Sequence, residues 1–168
     1  MRVALLPTGM MELHGLRDCL ARLFPEHELI AVPRVPARPG VAAEPFSQSF
    51  TARHDPASTT DAPKNLLKLV QELAGQVYPR RRHAVDLAVV VDDLELCNLD
   101  QPEVIIDAVR DTVRGHVERA AVRPEERAEL ARCLRERVSF HLAVPMTEAF
   151  APLTARKRGV SAAVLRNV

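Results

Sequence analysis

The chain opens on a short apolar run, Arg2 to Pro7, that stops at Thr8-Gly9, the pattern of a buried strand entering a tight turn. The period then changes. Leu13, Leu16, Leu20 and Leu23 recur at steps of three and four with Arg17, Asp18 and Arg22 opposite them, which predicts an amphipathic helix stopped by Pro25. His27 to Val32 reads as a second strand. A helical face returns at Leu66, Leu69, Val70, Leu73 and Val77, with Asp61-Ala-Pro63 as its start signal. Asp86 to Val91 is apolar and β-branched without a break after its first residue, which predicts a strand covered on both faces at the centre of a sheet. Asp100-Gln-Pro-Glu103 has the spacing of a capping box and predicts Asp100 as the N-cap of a helix over Val104 to Val117. Pro124 to Arg137 presents Leu130, Ala131 and Leu134 as a further helix, Val138 to Val144 is a last strand, and Thr147 to Val168 reads as helical at both ends around Pro152.

Strands alternating with helices predict an α/β fold: about four mainly parallel strands covered by helices on both faces. At 168 residues the expectation is one domain spanning 1–168, with no internal repeat. Between Pro33 and Pro63 lie six of the thirteen prolines, mixed with Ser, Thr and Gly, so this stretch is expected to be a long loop, with Phe46 and Phe50 as its anchors.

Composition narrows the classes. Hydrophobic residues are 47% and charged residues 27% of the chain, which excludes a disordered tail or a collagen-like fibre. The longest apolar run, Leu87 to Val91, is far shorter than the roughly 18 to 20 residues that cross a bilayer, and no signal sequence is legible, so no membrane partner and a cytoplasmic location are expected. Cys19, Cys97 and Cys133 form no C-x-x-C pair and read as ordinary thiols. A net charge of +1 means that any polyanion is held by a local patch rather than by the global field.

In open parallel sheets the ligand crevice lies beyond the carboxyl ends of the strands, where the strand order reverses. Three strand ends carry acids: Glu12 in Thr8-Gly-Met-Met-Glu12, then Asp92, Asp93 and Glu95 in Asp92-Asp-Leu-Glu95, then Glu148 in Pro145-Met-Thr-Glu148. Carboxylates in that position suit a hard cation such as Mg²⁺ or Mn²⁺, and through it phosphoryl transfer or hydrolysis. Each acid also has a plainer reading. Glu12 and Glu148 fit the first turn of a helix, where an acid complements the dipole by about 0.3 to 1 kcal/mol. Asp92 and Asp93, side by side at the end of a strand, need a cation, a helix terminus or a basic side chain to offset their repulsion.

Together these residues resemble the Toprim fold of topoisomerases, primases and related nucleases, also found in small bacterial and defence-associated proteins. The resemblance runs from Met1 to about Phe150 and rests on the Gly9 turn with Glu12, the Asp92, Asp93 and Glu95 cluster, and Glu148-Ala-Phe. It implies a Mg²⁺ (or Mn²⁺) site with Glu12 and Asp93 as catalytic acids and Asp92, Asp93, Glu95 and Glu148 as metal ligands, acting on nucleic acid. Where the family has a glutamate just before the turn glycine, this chain has Thr8. Two readings are therefore open: a metal-dependent nuclease-like domain, in bacterial defence among other settings, and a catalytically degenerate module that docks a protein partner or a second copy of itself.

Arg80-Arg-Arg82 reads as a solvated turn at the opposite, amino end of the third strand. His14 and His141 lack spaced partners. No G-x-G-x-x-G, Walker A lysine, H-E-x-x-H or G-x-S-x-G is present, which leaves dinucleotide, P-loop, zinc-protease and hydrolase-elbow chemistry without support.

Overall fold

The computed structural model describes residues 1–10, 12–55, 63–78, 84–94, 96–120 and 123–143. Four strands, β1 (Arg2–Pro7), β2 (Glu28–Ala31), β3 (Leu87–Asp93) and β4 (Val138–Ala143), form one all-parallel sheet in the order β2-β1-β3-β4. The helices are α1 (Arg17–Leu23), α2 (Lys64–Val77), α3 (Pro102–Ala120) and α4 (Pro124–Arg137). From β1 the chain steps outward to β2, crosses back over β1 to β3, and continues in that direction to β4. Right-handed connections then put α1 on one face and α2, α3 and α4 on the other.

Register explains where the core sits. Residues paired in parallel strands share a face, so Ala4, Ala88 and Val138 stand in one row, and Leu6, Val90 and Phe140 in the next. These rows meet the stripe Leu66, Leu69, Val70, Leu73 and Val77 of α2, all at 0 or 1% exposure, together with buried residues of α3 and α4. Those five positions are the ones the helical period selects from the sequence. α4 begins at Pro124 with Glu125 and Glu126 in its first turn and ends with Arg135 and Arg137, charges that complement its dipole.

The opposite face is thinner than the sequence suggests. β3 alternates half-buried and buried positions, with Leu87, Val89, Val91 and Asp93 half-buried, instead of being covered on both sides. Three helices cover one face of the sheet, whereas α1 has seven residues, none of them buried, and lies against β2. A wide π-type turn at Glu12–Leu16 precedes it and shifts the leucine stripe off a regular helical phase, so Leu23 is 70% exposed.

Asp100 differs from its expected role as well. α3 starts at Pro102, and the Asp100 carboxylate instead receives both ends of the Arg53 guanidinium, at 2.8 and 2.9 Å. The segment after Pro33 has no regular helix or strand as far as Asp55 but is pinned to the core. Phe46 and Phe50 are 6% and 4% exposed, and the Phe46 N–H donates to the Pro7 carbonyl at the end of β1. A narrow return joins Val35 to Glu44 and Arg38 to Val41 around Gly40, whose φ of 77° favours glycine, and Arg34 pairs with Glu44 beside it. The proposed helical segment at 147–168 lies outside the described residues, as do Arg80, Arg81 and Arg82.

Candidate functional site

The strand order reverses between β1 and β3: one leads outward to β2, the other to β4. The carboxyl ends of these two strands therefore define the crevice of the fold. Thr8 stands at the end of β1, 5% exposed, and its hydroxyl donates to the Val91 carbonyl of β3 at 2.8 Å. At the end of β1 the chain thus spends a side chain on tying two strands together.

Asp92 is fully buried, on the face that carries Ala88 and Val90. Its carboxylate accepts the Ser49 N–H at 3.1 Å from Oδ2 and 3.4 Å from Oδ1. Burial pushes the Asp92 carboxyl up to about 6; the Ser49 hydroxyl, the Ser49 N–H and the Thr8 hydroxyl hold it back, and the charge of Asp93 adds to the rise. Ser49 is itself 2% exposed, and its Oγ, although near Asp92, makes no hydrogen bond of good geometry among the described residues. Asp93 is one position further along the strand, so its side chain leaves the opposite face. It is half-buried, and its Oδ2 accepts a long bond from Gln48 Nε2 at 3.4 Å. Gln48 and Ser49 thereby lie across the end of β3 and reach both carboxylates.

Of the other predicted acids, Glu12 falls in the turn that follows β1, where only its backbone is described. Glu95 and Glu148 lie outside the described residues. Among the described residues no three His, Cys, Asp or Glu side chains cluster closely enough to hold a metal ion. At the edge the Asp93 carboxylate meets the Gln48 amide, while Asp92 and the Ser49 hydroxyl are buried on the other face of β3. A hard cation is commonly held by one or two carboxylates and completed by water, and on the open face Asp93 and the Gln48 amide oxygen are the donors that fit it.

Sequence reasoning missed the segment that builds the rest of the edge. Asn98, fully buried in the short turn Leu96–Asn98, donates from Nδ2 to the Ala52 carbonyl and accepts the His54 N–H at Oδ1, at 3.0 and 2.9 Å. Gln101 Nε2 donates to the His54 carbonyl at 2.8 Å, and Asn65 Nδ2 to the Gln48 carbonyl at 3.1 Å. The only available signal was Phe46 and Phe50 flanking polar Gln48 and Ser49: apolar anchors that bring the polar residues between them to the strand end.

These features define an α/β domain with a parallel sheet and an acidic carboxyl edge closed by an ordered loop. Compared with known proteins, the chain matches no family model, no curated protein and no solved structure. Among the described residues no helix is long and apolar enough to cross a membrane.

Proposed function

We propose that this chain is a divalent-metal-dependent phosphoryl-transfer domain acting on nucleic-acid phosphodiesters, with Mg²⁺ or Mn²⁺ bound at the carboxyl edge of the sheet. One observation carries the reading: two adjacent carboxylates, Asp92 and Asp93, stand at the point where the strand order reverses. Asp93 would hold the cation, with Gln48 as a neutral oxygen donor, and Asp92, buried on the other face of β3, would add its negative charge without direct contact. The bound metal supplies a water of lowered pKa and neutralises charge on the phosphoryl oxygens. Asp93, half-buried and contacted by Gln48 at a long 3.4 Å, is the carboxylate that would take a proton from a water. Asp92 fixes the Gln48-Ser49 segment over the site through the Ser49 N–H. Its ionisation is opposed by burial, and a cation at the edge relieves that cost. The reading takes the chain as cytoplasmic and compatible with a role in defence against foreign nucleic acid.

A second reading, a degenerate interaction module for a protein partner or a second copy, draws on one observation of its own. Thr8, where the resemblance would place a glutamate, is committed to the Val91 carbonyl, while Asp92 is committed to Ser49. Incubating the protein with single- and double-stranded DNA and RNA, in Mg²⁺, Mn²⁺ or chelator, separates the two readings. Metal-dependent cleavage that Asp93→Asn abolishes supports the enzyme. Absence of cleavage on all substrates, with no metal-dependent rise in melting temperature, supports the module.

A further inference from the structure

We infer that residues 34–44 form a finger that enters the minor groove of B-form DNA and so sets a duplex against the carboxyl edge of the sheet. The inference rests on the nucleic-acid reading above and adds to it the form of the partner. The finger leaves the sheet just after β2, where the Val32 N–H donates to the Leu5 carbonyl, and returns where the Phe46 N–H donates to the Pro7 carbonyl. Both of its feet thus stand at the carboxyl ends of strands, and Gln48, just beyond the second foot, contacts Asp93.

The finger is stiff before any partner arrives. Two reciprocal pairs of backbone hydrogen bonds close it, Val35 with Glu44 at 3.0 and 3.2 Å and Arg38 with Val41 at 2.9 and 3.0 Å. Pro39 and Gly40 take the two central positions of the tip, and the Gly40 φ of 77° is that of a type II turn, which favours this pair of residues in this order. Pro36 and Pro39 each have φ fixed by their rings, and Arg34 pairs with Glu44 across the base. Preorganisation of this kind lowers the ordering cost of binding.

Position, composition and size point to the partner. Residues 36–42 are all exposed, so an ordered element stands in solvent without a part in the core. Between Val35 and Glu44 there is no acid and one cation, Arg38; the rest is Pro, Ala, Gly and Val. Arg38 makes no ion pair among the described residues, whereas Arg34 is offset by Glu44, so the positive charge of the finger is concentrated at its tip. From Val35 to Arg38 an extended chain reaches about 10 Å, at ~3.3 Å per residue. The minor groove is about 7.5 Å deep and ~6 Å wide, and Ala37, Gly40 and Ala42 keep the flanks of the finger narrow. The negative potential of that groove attracts an arginine. Pro39 and Val41, the latter 50% exposed, are the apolar side chains that minor-groove arms set between base steps. A protein strand is the poorer occupant, because Pro36 and Pro39 remove two N–H groups from the limb that strand addition would use.

The test is fluorescence anisotropy of labelled duplexes titrated with the full chain, in chelator so that nothing is cleaved. Saturable binding to a duplex with a central A-tract is expected, tighter than to a G·C duplex of equal length. Arg38→Gln should weaken it about tenfold and make the slope of log affinity against log salt shallower by about one. Val41→Ser should weaken it severalfold without changing the slope, and Arg132→Gln, a charge change on α4, should leave both unchanged. Netropsin, which fills the minor groove, should displace the protein, whereas cytosine 5-methylation, which alters the major groove, should have no effect. Absence of saturable duplex binding, an affinity and slope indifferent to Arg38→Gln, or binding that netropsin leaves intact overturns the finger. Amide NMR shifts at Arg38, Gly40 and Val41 that follow protein concentration rather than added duplex overturn it in favour of a contact between copies. Failure here is distinct from failure of the metal reading: Asp93-dependent cleavage of single strands survives loss of the finger, and duplex binding in chelator survives loss of the metal.

Discussion

Replacing Asp92 with Asn isolates the cost of keeping a carboxylate at the buried end of β3. In the folded chain burial moves this carboxyl from 3.8 to about 6. At 1.36 kcal/mol per pH unit the shift corresponds to about 3 kcal/mol. A carboxyl raised by folding binds its proton more tightly in the native state than in the unfolded one. Between about pH 4 and pH 6 the native protein therefore holds the extra proton, and it loses stability as the pH rises through that window. Below the window the protonated form carries no penalty; above it the full cost is present. Asn removes the ionisation while keeping a carbonyl oxygen for the Ser49 N–H, and the neighbouring Ser49 Oγ can accept from its new amide group. Urea unfolding in chelator, repeated from about pH 4 to pH 8, should show the variant gaining on the wild type by up to about 3 kcal/mol across the window and level above it. A difference that stays flat with pH, or a variant that loses ground as the pH rises, refutes the assignment of Asp92 as a carboxylate ionised against burial.

Two further substitutions probe the supports of the edge. Asn98→Ala removes bonds to Ala52, His54 and Gln101 from a fully buried position and should cost about 2 to 4 kcal/mol in urea unfolding; a cost below about 1 kcal/mol would show that the loop is held by its phenylalanines alone. Thr8→Val keeps the shape but removes the donor to the Val91 carbonyl and should cost about 1 to 2 kcal/mol, measured the same way, whereas a neutral result would mean that this bond contributes nothing to the β1–β3 junction.

The architecture was legible where one period dominates a segment. The α2 stripe from Leu66 to Val77 and the strand at Leu87 to Val91 announce themselves because every residue on the buried face is apolar. The helix from Pro124 to Arg137 was legible from Leu130, Ala131 and Leu134 on one face. The leucines from Leu13 to Leu23 misled for a physical reason: a stripe shows that a helix has an apolar side, not that anything covers it, and the π-type turn before α1 alters its phase. Asp100 misled in a similar way, since capping-box spacing does not exclude a stronger partner, and Arg53, 47 residues away in sequence, is bonded to it at both guanidinium ends. The acids at the end of β3 were visible because strand ends are predictable. Ser49, Asn65 and Asn98 were not, since their roles come from a loop returning to the sheet over 43 or more residues of separation for Ser49 and Asn98, and no local pattern encodes that return.

The most direct test of the metal site compares thermal unfolding of the wild type, Asp92→Asn and Asp93→Asn in millimolar Mg²⁺, in Mn²⁺ and in chelator. A cation that binds only the native edge raises the melting temperature by mass action. The account predicts a metal-dependent rise in the wild type that Asp93→Asn loses and Asp92→Asn reduces, with Asp93→Asn folded and cooperative in chelator. A wild-type melting temperature indifferent to both metals, or a rise of equal size in the two variants, contradicts it.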